Sequence, residues 1–524
     1  MSLGVQISRR ITLDGLDPTI ATRNLMKFIN LGVGEDKNVA LGFKSQVKFD
    51  KKNLVGYNVG IGYECLYYNS TSQFNVAIGY ECLRGGVSDD GGTVDTNLFT
   101  GSSNNVAIGY QCGQFIGNNA TNNVLIGYQC AYSNGDNNNK FVGSDNTLIG
   151  YQCGLKAISI SNNVAIGECC MKGEAGIYSN ADNNVAIGYE CAKFIQDNAS
   201  DNVLIGTQCA SSGRMTGFSN VGIGNSCLDA ITTGRFNVSI GFATLVQLTT
   251  GIGNIVAGGK AGSFLSDGNF NTVLGQQALN FNVSGHNNVA VGSTSLYKNT
   301  SSNNVAIGYE CSYLDETGTQ NVSIGYQSLK GGTSPNNYTS SSNNVAIGYQ
   351  SAQNIGSNCT RNVIIGAKAA KSQSSDTFVG GDNVIIGTES GYLIGNATEN
   401  VFLGARTGYN INNGNRNTGI GFQAGGDITT GNYNVCIGPD VQPSSSTANS
   451  ELKIGSTTDG SNNINWISGD SSGMITLPNG IKNNLVIGED TSDLLVVNSE
   501  TRFIGSVTYG TSSIKIDGVN GPIR

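Results

Sequence analysis

Residues 101–113 read GSSNNVAIGYQCG, and the core of that stretch, NNVAIGY with a small residue three places after the glycine, returns along the chain. It stands at 74–82 as FNVAIGYEC, at 303–311 as NNVAIGYEC and at 343–351 as NNVAIGYQS. Aligned on the glycine, the copies run through Gly42, Gly62, Gly79 and Gly109 to Gly438, with Gly455 in a degenerate last copy. The commonest step is 17 residues, unbroken over Gly224, Gly241, Gly258, Gly275 and Gly292. A short fixed period marks a solenoid, in which each coil touches only its neighbours.

Each position in the copy has its own chemistry. Asn stands four residues before the glycine from Asn38 to Asn434. A β-branched residue stands three before, and Ile or Leu almost always one before. Period-two alternation over so few residues predicts a short strand. On this reading Val106 with Ile108, and Val305 with Ile307, share the core face. The variable residue between them (Ala107, Leu125, Ser239, Phe402 or Cys436) faces outward. Gly109 and Gly308 bend the chain where coils approach closely. Asn105 and Asn304 sit at the corner, tolerate the left-handed conformation and stack into an amide ladder. Cys112 and Cys311 fill a slot that other copies give to Ser, Ala or Thr, so the column reads as small and buried. At about 4.8 Å per coil, some 23 coils make a rod of about 110 Å.

Composition narrows the function. Of 524 residues 74 are Gly, and only 13 % are charged. The net charge of −8 argues against nucleic-acid binding through a basic face. No apolar run reaches the ~18 residues of a membrane-spanning helix. Thirteen cysteines, an odd number in a long chain, are no disulfide framework. They lack the C-x2-C clustering of a zinc site, and the single histidine, His286, supplies no cluster. No metal and no cofactor is expected. Residues 1–31 contain no apolar signal core, so the expectation is assembly in a thiol-reducing cytosol.

The repeat resembles the head domains of trimeric autotransporter adhesins, whose Asn-x-Val-Ala-Ile-Gly-x-x-Ser motif is matched by NNVAIGYQS (343–351) and NNVAVGSTS (287–295). The likeness covers about residues 32–440. It implies a left-handed parallel β-roll, three chains packed side by side, and a role in surface attachment. By analogy, trimeric fibres of virus and phage surfaces are built alike.

The expected architecture is therefore all-β: a cap or attachment segment at 1–31, a β-roll at 32–455 and a non-repeat β module at 456–524. The expected function is a structural homotrimeric fibre on a virion surface, bound to a capsid or other particle protein at one end. Its outer partner would be a host-surface glycan or protein. The insertions at 84–103, 131–144, 171–182, 329–342 and 371–381 are the places for recognition. Tyr recurs one residue after the glycine and is expected to stack on itself or at a chain–chain interface. The alternatives are a bacterial-type surface adhesin and a tailspike-like polysaccharide-degrading enzyme. For an enzyme, Asp315 and Glu316 are the available carboxylates, yet nothing in the sequence pairs them, and no catalytic residue is expected. His286 reads as a turn residue.

Overall fold

A computed structural model describes residues 29–31, 38–45, 56–67, 72–85, 101–133, 140–173, 180–332, 340–372, 378–457, 463–472 and 475–476. Among them there are 26 strands, numbered β1 to β26 in chain order, and no helix. From β2 (Val39–Leu41) to β24 (Leu452–Thr457) every strand pairs in parallel with the next. The register puts like on like: Val106 lies opposite Val124, Ile108 opposite Ile126 and Gly109 opposite Gly127. The chain is a parallel β-solenoid, with one strand of the ladder in each turn.

Two backbone features explain the repeat's fixed residues. Gly109 has φ +133°, and a Cβ there would lie 1.9 Å from the carbonyl oxygen of Gly127 in the next coil. Only glycine meets both demands. The left-handed corner residue is Asn104, with φ +60°, one place earlier than the repeat asparagine.

Asn105 has a different task. Its backbone N–H and its Nδ2 both donate to Oδ1 of Asn75 in the preceding coil, at 2.9 and 3.1 Å. Nδ2 also donates to the carbonyl of Ala120 at 2.8 Å. Its own Oδ1 accepts from the N–H and Nδ2 of Asn123. The ladder starts at Asn38, runs through Asn434 and ends on the N–H of Glu451. From Asn58 to Asn434 these asparagines are buried, where an unmade hydrogen bond costs about 1–3 kcal/mol. One rung differs: Asn321 Nδ2 donates to the carboxylate of buried Asp315 at 2.9 Å.

The strand faces are the reverse of the sequence reading. Ala107, Leu125, Ser239, Phe402 and Cys436 are fully buried, while Val106, Ile108, Val305 and Ile307 lie on the outer face. In most coils the volume at the variable position is balanced six residues on; where both residues are small, as at Ala107 and Gly113, Leu83 and Leu125 of the adjacent coils reach in. Ala77 is matched by Leu83, Ala290 by Leu296, Gly222 by Leu228 and Ser239 by Leu245. Where the inner residue is large the partner shrinks: Leu148 with Gly154, Ile385 with Gly391 and Phe402 with Gly408. A Cβ on Gly408 would meet the Phe402 ring at 2.7 Å. Dense interiors demand such compensation. A further inner column, among it Ile195, Ile231, Leu248, Leu265, Ile394 and Ile411, completes the core.

The cysteine column is internal, and all thirteen cysteines are free and buried. Its thiols donate to backbone of the following coil: Cys112 to Gly127 at 2.9 Å and Cys130 to Gly150 at 2.9 Å. Thr244 and Thr407 make the same bond with a hydroxyl. The slot takes a small buried side chain: where that side chain carries a donor it bonds the next coil, and Ala261, Ala278, Ala369 and Ala424 fill it without one. Burial pushes the Cys311 thiol up to about 11 and the Cys436 thiol up to about 12, so both stay protonated near neutrality.

Both ends of the ladder carry antiparallel strands. β1 (Ile29–Leu31) pairs with β2, and β25 (Asn463–Gly469) pairs with β24 and then with β26 (Ile475–Thr476). Such strands cover edges that invite uncontrolled pairing. Residues 1–28 of the proposed cap, most of the proposed C-terminal module including 477–524, and the central parts of the five insertions lie outside the described residues.

Two measurements test this interior. Asn254→Ala removes one rung inside the unbroken 17-residue run and orphans groups on Asn271 and Gly268. Denaturant unfolding should show a loss on the order of 3 kcal/mol; an unchanged midpoint would mean the ladder contributes nothing. Iodoacetamide at pH 8 should label none of the thirteen cysteines within minutes in the native protein and all of them after unfolding.

Candidate interaction face

With the variable residues inside, the constant ones are left outside. Ile255 is 49 % exposed and Leu274 42 %, whereas their inward neighbours Val256 and Val273 are fully buried. Ile223, Ile240, Ile307 and Ile420 are likewise exposed. In-register pairing lines them up with the β-branched column two residues earlier, from Val39 to Val435. The two columns lie about 7 Å apart and run for about 110 Å, so the strip offers on the order of 1,000 Å². That exceeds the few hundred Å² of contiguous apolar surface usual on a soluble monomer.

Aromatic rings extend the strip along one edge. In β3 (Val59–Tyr63) to β7 (Thr147–Tyr151) the strands continue through the glycine to a tyrosine. Tyr63, Tyr80, Tyr110, Tyr128 and Tyr151 stack face to face at 4.8–5.1 Å, within 12° of parallel. Tyr309, Tyr326 and Tyr349 form a second stack. One residue further the column is polar and also laddered. Gln111 donates to Glu81, Gln129 to Gln111 and Gln152 to Gln129, at 2.9–3.2 Å. Apolar strip, aromatic edge and amide rail thus run in parallel along the rod.

The corner past the turn is the second distinctive region. In the five coils with insertions the described chain breaks off at Gly85, Ser133, Gly173, Gly332 and Ser372. Each lies six or seven residues after its repeat glycine, so all five insertions leave at one corner.

The residues weighed for catalysis are placed elsewhere. Asp315 is buried; it accepts from the N–H of Ser341 as well as from Asn321, and so belongs to the ladder. Its neighbour Glu316 is half-exposed. His286 occupies a turn rung, where Nδ1 accepts from the N–H of Asn269 at 2.9 Å and its own N–H donates to Ser302. Asn105, Gly109, Cys112, Asn304, Gly308 and Cys311 all lie in the coil framework. Sequence reasoning missed the outward strip. The signal was available in the anticorrelated sizes of the inner residue and the residue six places later.

In comparison with known proteins, no family model matches the chain, and no curated protein matches it.

The face assignment has a direct test. Ala306→Asp puts a charge into the sealed coil and should abolish soluble, β-structured protein. Val305→Asp, one residue away on the outer face, should leave the far-ultraviolet circular dichroism intact. Equal damage from both would refute the assignment.

Proposed function

We propose that the chain is a structural fibre or spike protein that assembles as a side-by-side homotrimer on a virus particle and attaches it to a host surface. The observation that carries this reading is the continuous outward Val/Ile strip. A strip on the order of 1,000 Å² matches the ~800 Å² per partner of a standard stable interface. An identical chain is a natural occupant, because its coils present the same columns at the same ~4.8 Å spacing. Cyclic packing around an axis along the rod keeps the ends of all chains together. One end is then free to dock on a particle and the other to reach a host. The number three comes from the likeness of the repeat to the trimeric adhesin heads.

Sedimentation equilibrium at micromolar concentration should give the mass of three 54.5 kDa chains. Ile240→Asp with Ile255→Asp, both exposed on the strip, should shift it toward one chain while leaving the β signal. Wild-type protein that sediments as a monomer would overturn the trimer. Incubation with host-surface polysaccharide separates the readings of function: new reducing ends would favour the tailspike-like enzyme over the fibre.

A further inference from the structure

An aromatic stack stops short near the C-terminal end of the roll. Tyr392 and Tyr409 stand five residues after their repeat glycines and stack at 5.1 Å, within 12° of parallel. The next coil has Gly426 at that position. The stack has no third ring, and the surface there opens into a cleft of about 270 Å³ bordered by Tyr409 and Gly426. This is the corner from which the insertions leave, several residues past the Val/Ile strip.

The rest of the cleft wall is polar and comes from three successive coils. Arg406 and Asn410 lie on the first, Gln423 and Asp427 on the second, and Gln442 on the third. Several of these groups are held in place. Gln442 donates from Nε2 to the carbonyl of Gln423 at 2.7 Å and accepts from the N–H of Asp427 at 3.0 Å. Asn410 Nδ2 donates to the carbonyl of Gly426 at 2.9 Å. Arg406 is paired with Glu389 at 3.0 Å, with its guanidinium 5.7 Å from the Tyr409 ring centre. Among the described residues no hydrogen bond or ion pair reaches the exposed Asp427 carboxylate.

The volume falls just below the ~300–1,000 Å³ of pockets for drug-sized ligands and suits one small ring. The ligand must offer an apolar face to Tyr409 and many donors and acceptors at its edge. Arg406 is paired with Glu389 beside the wall, so with Asp427 the charges at the cleft sum to −1, which disfavours an anion. A sugar ring has this make-up: a C–H face and a hydroxyl rim that pairs with amides and a carboxylate.

We propose that the cleft beside Tyr409 binds a neutral hexopyranose unit of a glycan. The proposal names a ligand for the attachment reading above and rests on that reading for its biological role. The site is shallow and single, so its affinity is of millimolar order, near 4 kcal/mol. Identical sites on an assembled fibre would add avidity.

Saturation-transfer NMR on the full chain, with the methyl glycosides of glucose, galactose, mannose and N-acetylglucosamine at about 10 mM, tests it. At least one should receive saturation at its ring protons. Tyr409→Ala and Asp427→Ala, each at unchanged melting temperature, should cut the signal about tenfold, and Tyr409→Phe should keep it. No transfer to any of the four, or equal transfer in Tyr409→Ala, overturns the site. Binding that favours sialyl-lactose also overturns it, because the wall should reject an anion. If hexosides fail while the fibre still adheres to cells, the site is wrong and the attachment reading survives. If hexosides bind as described but the fibre adheres to no host cell, the site stands and the attachment reading falls.

Discussion

A column of buried asparagines governs the rest of this molecule. Each amide is bonded to the coils before and after it, so no rung can change height or register without orphaning groups on both neighbours. The ladder fixes coil-on-coil registry, and registry brings the repeat glycines into contact. At that distance a single Cβ would overlap the next carbonyl. Asn is invariant within the roll because its side-chain amide bonds both neighbouring coils, and Gly because the backbone there admits no Cβ. Everything that varies does so between these two fixed points.

This division explains which parts of the structure could be read from the residues. The strand, the bend and the amide ladder were legible because their columns admit one residue type. The faces are not, because constancy in a sequence column reads as the mark of a core. In a solenoid the reverse holds: an interior sealed within one coil tolerates Ala, Leu or Phe if a partner six residues on compensates, as Phe402 and Gly408 do. The outer Val/Ile columns gain nothing from such local exchange. Their uniformity is a property of the surface they build. The cleft beside Tyr409 was illegible for another reason. It depends on three coils meeting at one corner and on a missing ring at Gly426, and neither shows in a single copy of the repeat.

Function follows the same geography. The framework residues Asn105, Gly109 and Cys112 specify shape, and the thiol column only supplies small donors to neighbouring carbonyls. The outward strip is the surface suited to other copies of the chain. The corner that releases the insertions, together with the cleft beside Tyr409, is where non-repeating chemistry gathers. On the proposed reading, assembly and recognition would fall on two sides of the rod, so that changes in one need not disturb the other.

On the proposed reading the constant apolar columns serve contacts between chains while the variable column seals the interior. Hydroxyl-radical footprinting read by mass spectrometry, above and below the assembly concentration, tests it most directly. Val238, Ile240, Ile255 and Leu274 should be protected in the assembled protein and oxidised in the dissociated chain, while Leu204, Val256 and Phe402 stay protected in both. Oxidation of the outer residues to the same extent in both states, or labelling of Val256 and Phe402 in the native protein, would contradict the account.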